Sequence, residues 1–533
     1  MADYERLHRL GLAAYRLGQR ETAVRHFAEA AALALARGDG DTALQCAVEA
    51  LTAQETPETR RLFADIAGAL RFRQDDPVLR PLLARAIAEG WGPLAPLVAA
   101  AAGLVMARAT AGVRIEDDTL LHAALVAAPV TDAALEAALT AARVVLLERG
   151  GDVAFAAALA QQCFLNGYAW WQSEAESTQA AALRGRAEAG EALPDTALAT
   201  LACYVPLHRV AGAQTFTGGG AIAALLRQQR DEPAQEKRLA AALPVLTPVA
   251  ATDEDETPWP RWHGHPAAQT PVMLRAWLES RFPGADLAGA PGHPALLTAG
   301  CGTGQYALHL ARALMLESVT AIDLSRANLA YAARKAAEAG MTNIRFGLGD
   351  ILEAAALERR FGLIECGGVL HQLADPFAGW TALLNLLEPG GLMRVAVHGS
   401  MARATLKPLQ ARLAQQGFDA TDDGIRAARH WLMRQGDAAL ALDAPAFFTL
   451  EGCRHLLFPG AEQSLALGGI ARFLRENDLR LIGLEVPHAV RAAYRDRFPR
   501  DAAATDLDNW AAFEQENPQT FAAMIQFWVQ RRG

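Results

Sequence analysis

The sequence predicts a multidomain chain, all-helical in its first half and α/β in its second. Three observations predict it. Up to about residue 250, Ala and Leu recur at three- and four-residue spacing with almost no strand signal. Beyond about residue 260, apolar strand-like runs alternate with helical ones, as in a parallel sheet covered on both faces. Within that second half, Gly300, Gly302 and Gly304 stand at every second position between an apolar run and an amphipathic one. A chain of 533 residues is also too long for one hydrophobic core.

The helical half justifies itself segment by segment. In "TDAALEAALTAARVVLLERGG", Thr131 is placed to cap the start, Leu135, Leu139 and Leu146 share a face, and Gly150-Gly151 ends the run. The most membrane-like stretch, Trp91 to Ala107, is short and broken by Pro93 and Pro96, so a buried core helix is expected there. In the opening helices, Leu10-Gly11, Ala23, Phe27 and Ala30 resemble the spacing of a tetratricopeptide repeat. In such a unit, small residues let two antiparallel helices approach and Phe fills the gap. A plain helical hairpin accounts for the same residues.

At "ATDEDETPWPRWHGHP" the composition breaks. Four acids, Asp253 to Glu256, mark a linker, yet Trp259, Arg261 and Trp262 in quick succession suggest docking rather than dangling. Strand-like runs follow at "ALLTAG", "VTAID", "IRFGLGD", "FGLIEC" and "LMRVAVH", with helical runs expected between the first four. Two more come late, near 480–486 and 523–531. The expected divisions are 1–56 (repeat-like helices), 57–250 (helical domain), 251–400 (sheet core), 401–475 (substrate-side excursion) and 476–533 (last two strands).

Bulk properties exclude several classes. A net charge of −9 gives no electrostatic footprint for nucleic acid, and the arginines of "RRLFADIAGALRFRQ" suit a solvated helix face. Six scattered cysteines without a C-x-x-C pair suggest a reducing compartment. The charged opening "MADYERLHRLG" lacks a signal-peptide core, so a cytoplasmic protein is expected, without a membrane span. His263/His265 and Cys453/His455 lack the companions of a metal site, and none is expected.

Glycines after a first strand bring backbone N–H groups close to a ligand, here where a helix starts. Asp323 ends the second strand, where a carboxylate can accept bonds from both ribose hydroxyls. Asp350 ends the third and can accept from an adenine amino group. Asp323 could equally help start the helix at Ser325, and Asp350 could cap a turn. An adenosine-containing cofactor fits the layout.

The compressed loop G-C-G-T-G-Q, the two acids, "ECGGVLHQLADP" and "LLNLLEPGGLMRVAV" together resemble the class I S-adenosylmethionine-dependent methyltransferases. Thr298 stands where many members carry an acid, which puts one contact to the loop in doubt. The resemblance implies a Rossmann-like seven-stranded sheet closed by the two late strands, with S-adenosylmethionine as cofactor. It implies that Gly300, Cys301, Gly302, Gly304 and Gln305 line the methionine and ribose end. Asp323 and Leu324 would hold ribose and adenine, Asp350 and Ile351 the adenine, and Glu365, Cys366 and Gly367 the cofactor floor. His371 is a candidate base, with His398, Trp259, Arg261 and Trp262 as further substrate-side candidates. The whole chain resembles bacterial methyltransferases fused to tetratricopeptide-type domains. A protein or peptide acceptor recruited by the helical half is the leading expectation. A small-molecule acceptor, with the helical half supporting the pocket or a homodimer, and a silent cofactor-binding scaffold are the alternatives.

Overall fold

A computed structural model describes residues 3–250, 257–264, 270–435 and 439–532. The acidic run Asp253–Glu256 and His265 lie outside the described residues. The chain forms two compact units, each assembled from separated stretches of sequence.

The first unit comprises Met1–Pro233, Trp262–Ala267 and Thr421–Gly452 and is helical. Its opening helices, Asp3–Arg16, Arg20–Ala36 and Gly40–Ala53, pack successively. A Cβ on Gly11 would lie 2.6 Å from the Phe27 ring, so glycine is what lets the first two helices close on that buried Phe. The helix Ala133–Arg149 is capped by Asp132, whose carboxylate accepts from Leu135 N, rather than by Thr131. The negative side chain also complements the helix dipole, which a threonine cannot do. Gly150, at φ +70°, ends that helix as expected. The segment after Trp91 forms the buried helix Leu94–Thr110. Among the described residues no helix is long and apolar enough to cross a membrane.

The stretch 421–452 lies far along the chain yet completes this unit. Its helix Asp422–Met433 delivers Arg429, which is fully buried. The guanidinium donates to both oxygens of Glu136, at 3.1 and 2.9 Å, and to the carbonyls of Ala169 and Phe447. The excursion expected at 401–475 is therefore shared between the two units.

The second unit holds a seven-stranded sheet: β1 (Ala295–Ala299), β2 (Ser318–Asp323), β3 (Ile344–Leu348), β4 (Phe361–Gly367), β5 (Leu387–Val397), β6 (Leu479–Leu484) and β7 (Ile525–Arg531). The order is β3-β2-β1-β4-β5-β7-β6, all parallel except β7, which runs antiparallel to both neighbours. Alternate residues feed opposite faces. Leu296, Leu363 and Leu392 join one apolar core with Trp277 and Trp528, while Leu297, Ile364 and Met393 join the other with Trp380 and Phe527. Both faces are covered, which is why the strands read as continuous apolar runs. One expected helix is absent: between β3 and β4 the chain makes only the 3-10 turn Ala354–Leu357. The apolar side chains there are alanines and one leucine, too little to bury a longer helix.

Residues 234–261 also belong to this unit. Glu236 accepts from the buried Arg334 at 2.8 Å, and Leu246 N donates to Leu348 O at 2.7 Å, extending the sheet beside β3.

Candidate active site

The three glycines have separate tasks. All are left-handed, at φ +72°, +54° and +78° for Gly300, Gly302 and Gly304. A Cβ on Gly300 would strike Val369 at 2.3 Å, and one on Gly304 would strike Ala332 at 2.6 Å. These two permit close packing. At Gly302 a Cβ would meet nothing within 4 Å, so this glycine faces open space. Gly304 caps the helix Gln305–Ala313, whose N-terminal amides and dipole favour a ligand's negative groups.

Asp323 fastens this loop to β2. Its Oδ2 accepts from Gly302 N at 2.7 Å and its Oδ1 from Ser325 N at 2.8 Å. Ser325 in turn caps the helix Arg326–Glu338. A carboxylate oxygen can accept more than one bond, so the geometry remains compatible with ribose hydroxyls. Next to it Leu324 is 46% exposed, an apolar side chain left uncovered at the strand end, and Leu352 beyond β3 is 49% exposed. Asp350 makes a turn, its Oδ1 accepting from Leu352 N at 2.8 Å, and its own N–H donates to Thr247 Oγ1. Ile351 is buried in the core beneath. The open position at Gly302, the adjoining carboxylate and the exposed leucine fit an adenosine cofactor.

Glu365, at the end of β4, is buried and paired with Arg394 Nη1 at 3.1 Å. Burial pushes its carboxyl up to about 7 against the pull of Arg394. Arg394 also donates to Glu485 at 2.8 Å and stacks 4.1 Å from the Tyr306 ring. The sequence reading passed over Arg394, Glu485 and Tyr306. A lone cation inside the apolar run "LMRVAVH" was the available signal, since a buried charge requires partners. Burial raises the thiols of Cys301 and Cys366, so neither is a nucleophile at neutral pH.

The proline-tryptophan segment divides. Trp259 N donates to Asn328 Oδ1 at 2.9 Å, and Thr303 Oγ1, inside the glycine loop, donates to Pro260 O at 2.7 Å. The Trp259 ring lies 5.1 Å from that of His455, and its buried Nε1 has no hydrogen-bond partner among the described residues. Arg261 lies 3.9 Å from Glu236. Trp262 is buried and groups with the helical unit.

Beyond β4 and β5, His371 and His398 meet with ring centroids 3.9 Å apart. Glu462 joins them from the later part of the excursion, its Oε1 2.7 Å from His398 Nδ1. Arg403 donates to both Glu462 oxygens, at 2.9 and 3.1 Å, and its Nη2 lies 2.7 Å from His398 Nδ1 and 3.2 Å from Nε2. Burial, reinforced by His398, brings the His371 imidazole down to about 3. Burial would raise Glu462, but the bond from His398 and the charge of Arg403 hold it at about 2. His371, His398 and Glu462 place three potential ligand atoms within 4.8 Å of one another. No sequence spacing disclosed that set, because its members come from three separate loops.

Residues 296–391 match the family model of a methyltransferase domain. An uncharacterized protein of Synechococcus sp. is 37% identical over 142 residues, which cover 26% of this chain and 34% of that relative. The match thus spans about a third of the curated relative's length. Among solved structures, PKMT2 from Rickettsia typhi is 13% identical, with a TM-score of 0.37, over 50% of this chain and 56% of that one. Magnesium protoporphyrin IX methyltransferase from Synechocystis PCC 6803 is 14% identical, with a TM-score of 0.27, over 48% and 79%. The matched segment runs from β1 into β5 of the seven-stranded sheet.

Proposed function

We propose that this protein transfers the methyl group of S-adenosylmethionine to a protein or peptide acceptor recruited by its helical unit. The observation that carries the methyl-transfer half is the glycine loop: Gly302 faces open space while Asp323 holds its amide. In this reading Asp323 takes the ribose. Leu324, Asp350 and Ile351 enclose the adenine, Gly300 to Gln305 line the methionine end, and Glu365 to Gly367 form the floor. The bound cofactor supplies an electrophilic methyl group on a sulfonium. The chain's own task is to align the acceptor with that group and exclude water.

Recruitment is supported by the opening helices, which pack in succession and leave Leu10, Tyr15, Leu17 and Leu33 exposed. Repeat-like helices of this kind commonly hold extended chains. Calorimetry with S-adenosylmethionine tests the first half, and the expected dissociation constant is in the micromolar range, roughly −8 kcal/mol. Binding of NADH in place of S-adenosylmethionine would refute it. Labelled methyl transfer into the source cell's lysate tests the second. Leu17→Asp combined with Leu10→Asp should slow labelling of proteins without altering cofactor affinity. Label confined to small molecules would favour an enclosed acceptor instead. Tight binding with no transfer at all would leave a cofactor-binding scaffold.

A further inference from the structure

Beside the end of β6 the second unit holds a cavity of about 420 Å³, a size common for small-molecule pockets. It is lined from the helices Leu274–Arg281, Gln305–Ala313 and His488–Arg497, and from the turn Glu485 to Pro487 after β6. None of the residues read above as holding the cofactor lines it. Its walls combine aromatic side chains with two guanidiniums, those of Arg281 and Arg491.

The charge in these walls is one-sided. The Arg281 guanidinium lies 3.5 Å from the centre of the Trp277 ring, and its Nη1 donates to Trp277 O at 3.4 Å. Arg491 lies 5.4 Å from the Phe282 ring and donates to the carbonyls of Arg281 and Leu484, at 3.0 and 3.1 Å. Rings and carbonyls fix where the two guanidiniums sit without cancelling their charge. Arg491 makes no ion pair among the described residues. Burial, reinforced by Arg495, pulls it below its ordinary value, as befits a cation whose charge is not compensated. One acid stands in the wall, Glu485, and both its oxygens are already engaged. Arg394 donates to them, and Trp528 Nε1 donates to Oε1 at 2.7 Å.

We propose that this cavity is a ligand site separate from the cofactor's, built for a small molecule that carries one carboxylate on an apolar body. The guanidiniums of Arg281 and Arg491 supply the charge the carboxylate needs, and their planar forks suit its two oxygens. Tyr306 adds a neutral donor: its hydroxyl makes no hydrogen bond among the described residues. Burial raises that phenol, so it keeps its proton. Phe282, Val486 and Pro487 offer apolar surface to the rest of the ligand. A single negative charge fits best. A phosphate dianion meets the Glu485 carboxylate in the same wall, and an ammonium meets two cations. The site does not depend on methyl transfer.

The test is calorimetry on the full chain with phenylacetate as the probe, beside phenylacetamide and phenyl phosphate as its neutral and doubly charged counterparts. Phenylacetate should bind once per chain with a dissociation constant of roughly a millimolar or below, and phenylacetamide at least tenfold more weakly. Arg281→Gln and Arg491→Gln should each weaken phenylacetate at least tenfold. Arg491 also ties two backbone carbonyls, so the melting temperature of each variant is measured alongside. Arg281, whose side chain is exposed, keeps the test sound if Arg491→Gln unfolds. Val486→Trp fills the cavity, leaves every charge in place and should abolish binding. No detectable binding of phenylacetate would overturn the proposal, and so would equal binding of phenylacetamide. Unchanged affinity in the folded arginine variants would do the same, as would tighter binding of phenyl phosphate. Displacement of phenylacetate by S-adenosylmethionine would place the probe in the cofactor's own site and overturn the separate one. A chain that binds phenylacetate as expected but not S-adenosylmethionine keeps this site and loses the methyltransferase reading.

Discussion

Arg429 and Glu136 are 293 residues apart in sequence and form a buried ion pair in which one guanidinium nitrogen reaches both carboxylate oxygens, at 3.1 and 2.9 Å. Their side chains are 1% and 5% exposed. Removing one partner leaves the other charge buried and unpaired, which costs about 3–5 kcal/mol. Arg429→Ala is therefore expected to lower the denaturation midpoint of the helical unit sharply. The double change Arg429→Met with Glu136→Leu should recover much of the loss. Urea unfolding of the two variants measures both. The same pair predicts that a piece lacking residues 1–250 is a poor test of the second unit, because it leaves 421–452 without its partners.

The glycine loop separates binding from folding. Gly302→Ala places a Cβ in the open space and a side chain at φ +54°, a conformation costing L-residues about 1–2 kcal/mol. It should weaken S-adenosylmethionine at least tenfold, while the backbone strain lowers the melting temperature by about a few degrees. Gly304→Ala meets Ala332 at 2.6 Å and should lower the melting temperature as well. Asp323→Ala removes the acceptor for both Gly302 N and Ser325 N, and charged hydrogen bonds contribute about 1.5–3 kcal/mol each. A tenfold to hundredfold loss of cofactor affinity is expected by calorimetry.

Glu365 predicts a pH dependence of stability with a definite sign. Its carboxyl ionises at about 7 when folded, above its unfolded value, so the native state binds the extra proton. The contribution is full below the ordinary carboxylate range and is lost as pH rises towards 7, by about 2–3 kcal/mol. Glu365→Gln should flatten this slope in chemical unfolding between pH 4.5 and 7.5. Glu462, held at about 2, has the opposite sign: its contribution is present above its ordinary value and disappears as pH falls towards 2.

Thr303 joins the glycine loop to the Trp259–Pro260 segment through a bond of 2.7 Å to Pro260 O. Thr303→Val keeps the shape and removes the donor, a loss of about 1 kcal/mol. If that bond orders the loop for its ligand, cofactor affinity should fall about fivefold while the melting temperature stays nearly constant. A drop in melting temperature with unchanged affinity would make it a plain packing contact.

Local pattern was enough to read much of this protein. The apolar runs "ALLTAG", "VTAID", "IRFGLGD", "FGLIEC" and "LMRVAVH" fall on β1 to β5, because continuous hydrophobicity with flanking turns specifies a strand buried on both faces, although β5 starts earlier, at Leu387. The glycine loop was legible as a turn too, since Gly300, Gly302 and Gly304 stand in a conformation that glycine adopts without strain. Other features arise only when distant segments meet. Nothing near Arg394 in sequence names Glu365 or Glu485, and nothing near His398 names Glu462. The return of 421–452 to the helical unit depends on Arg429 finding Glu136, a pairing between surfaces that exist only after both helices have formed. Periodicity reports which face of an element is buried. Which partner buries it, and which charges are thereby forced together, is decided by tertiary packing, because desolvation and close-range electrostatics act on distance in space rather than along the chain.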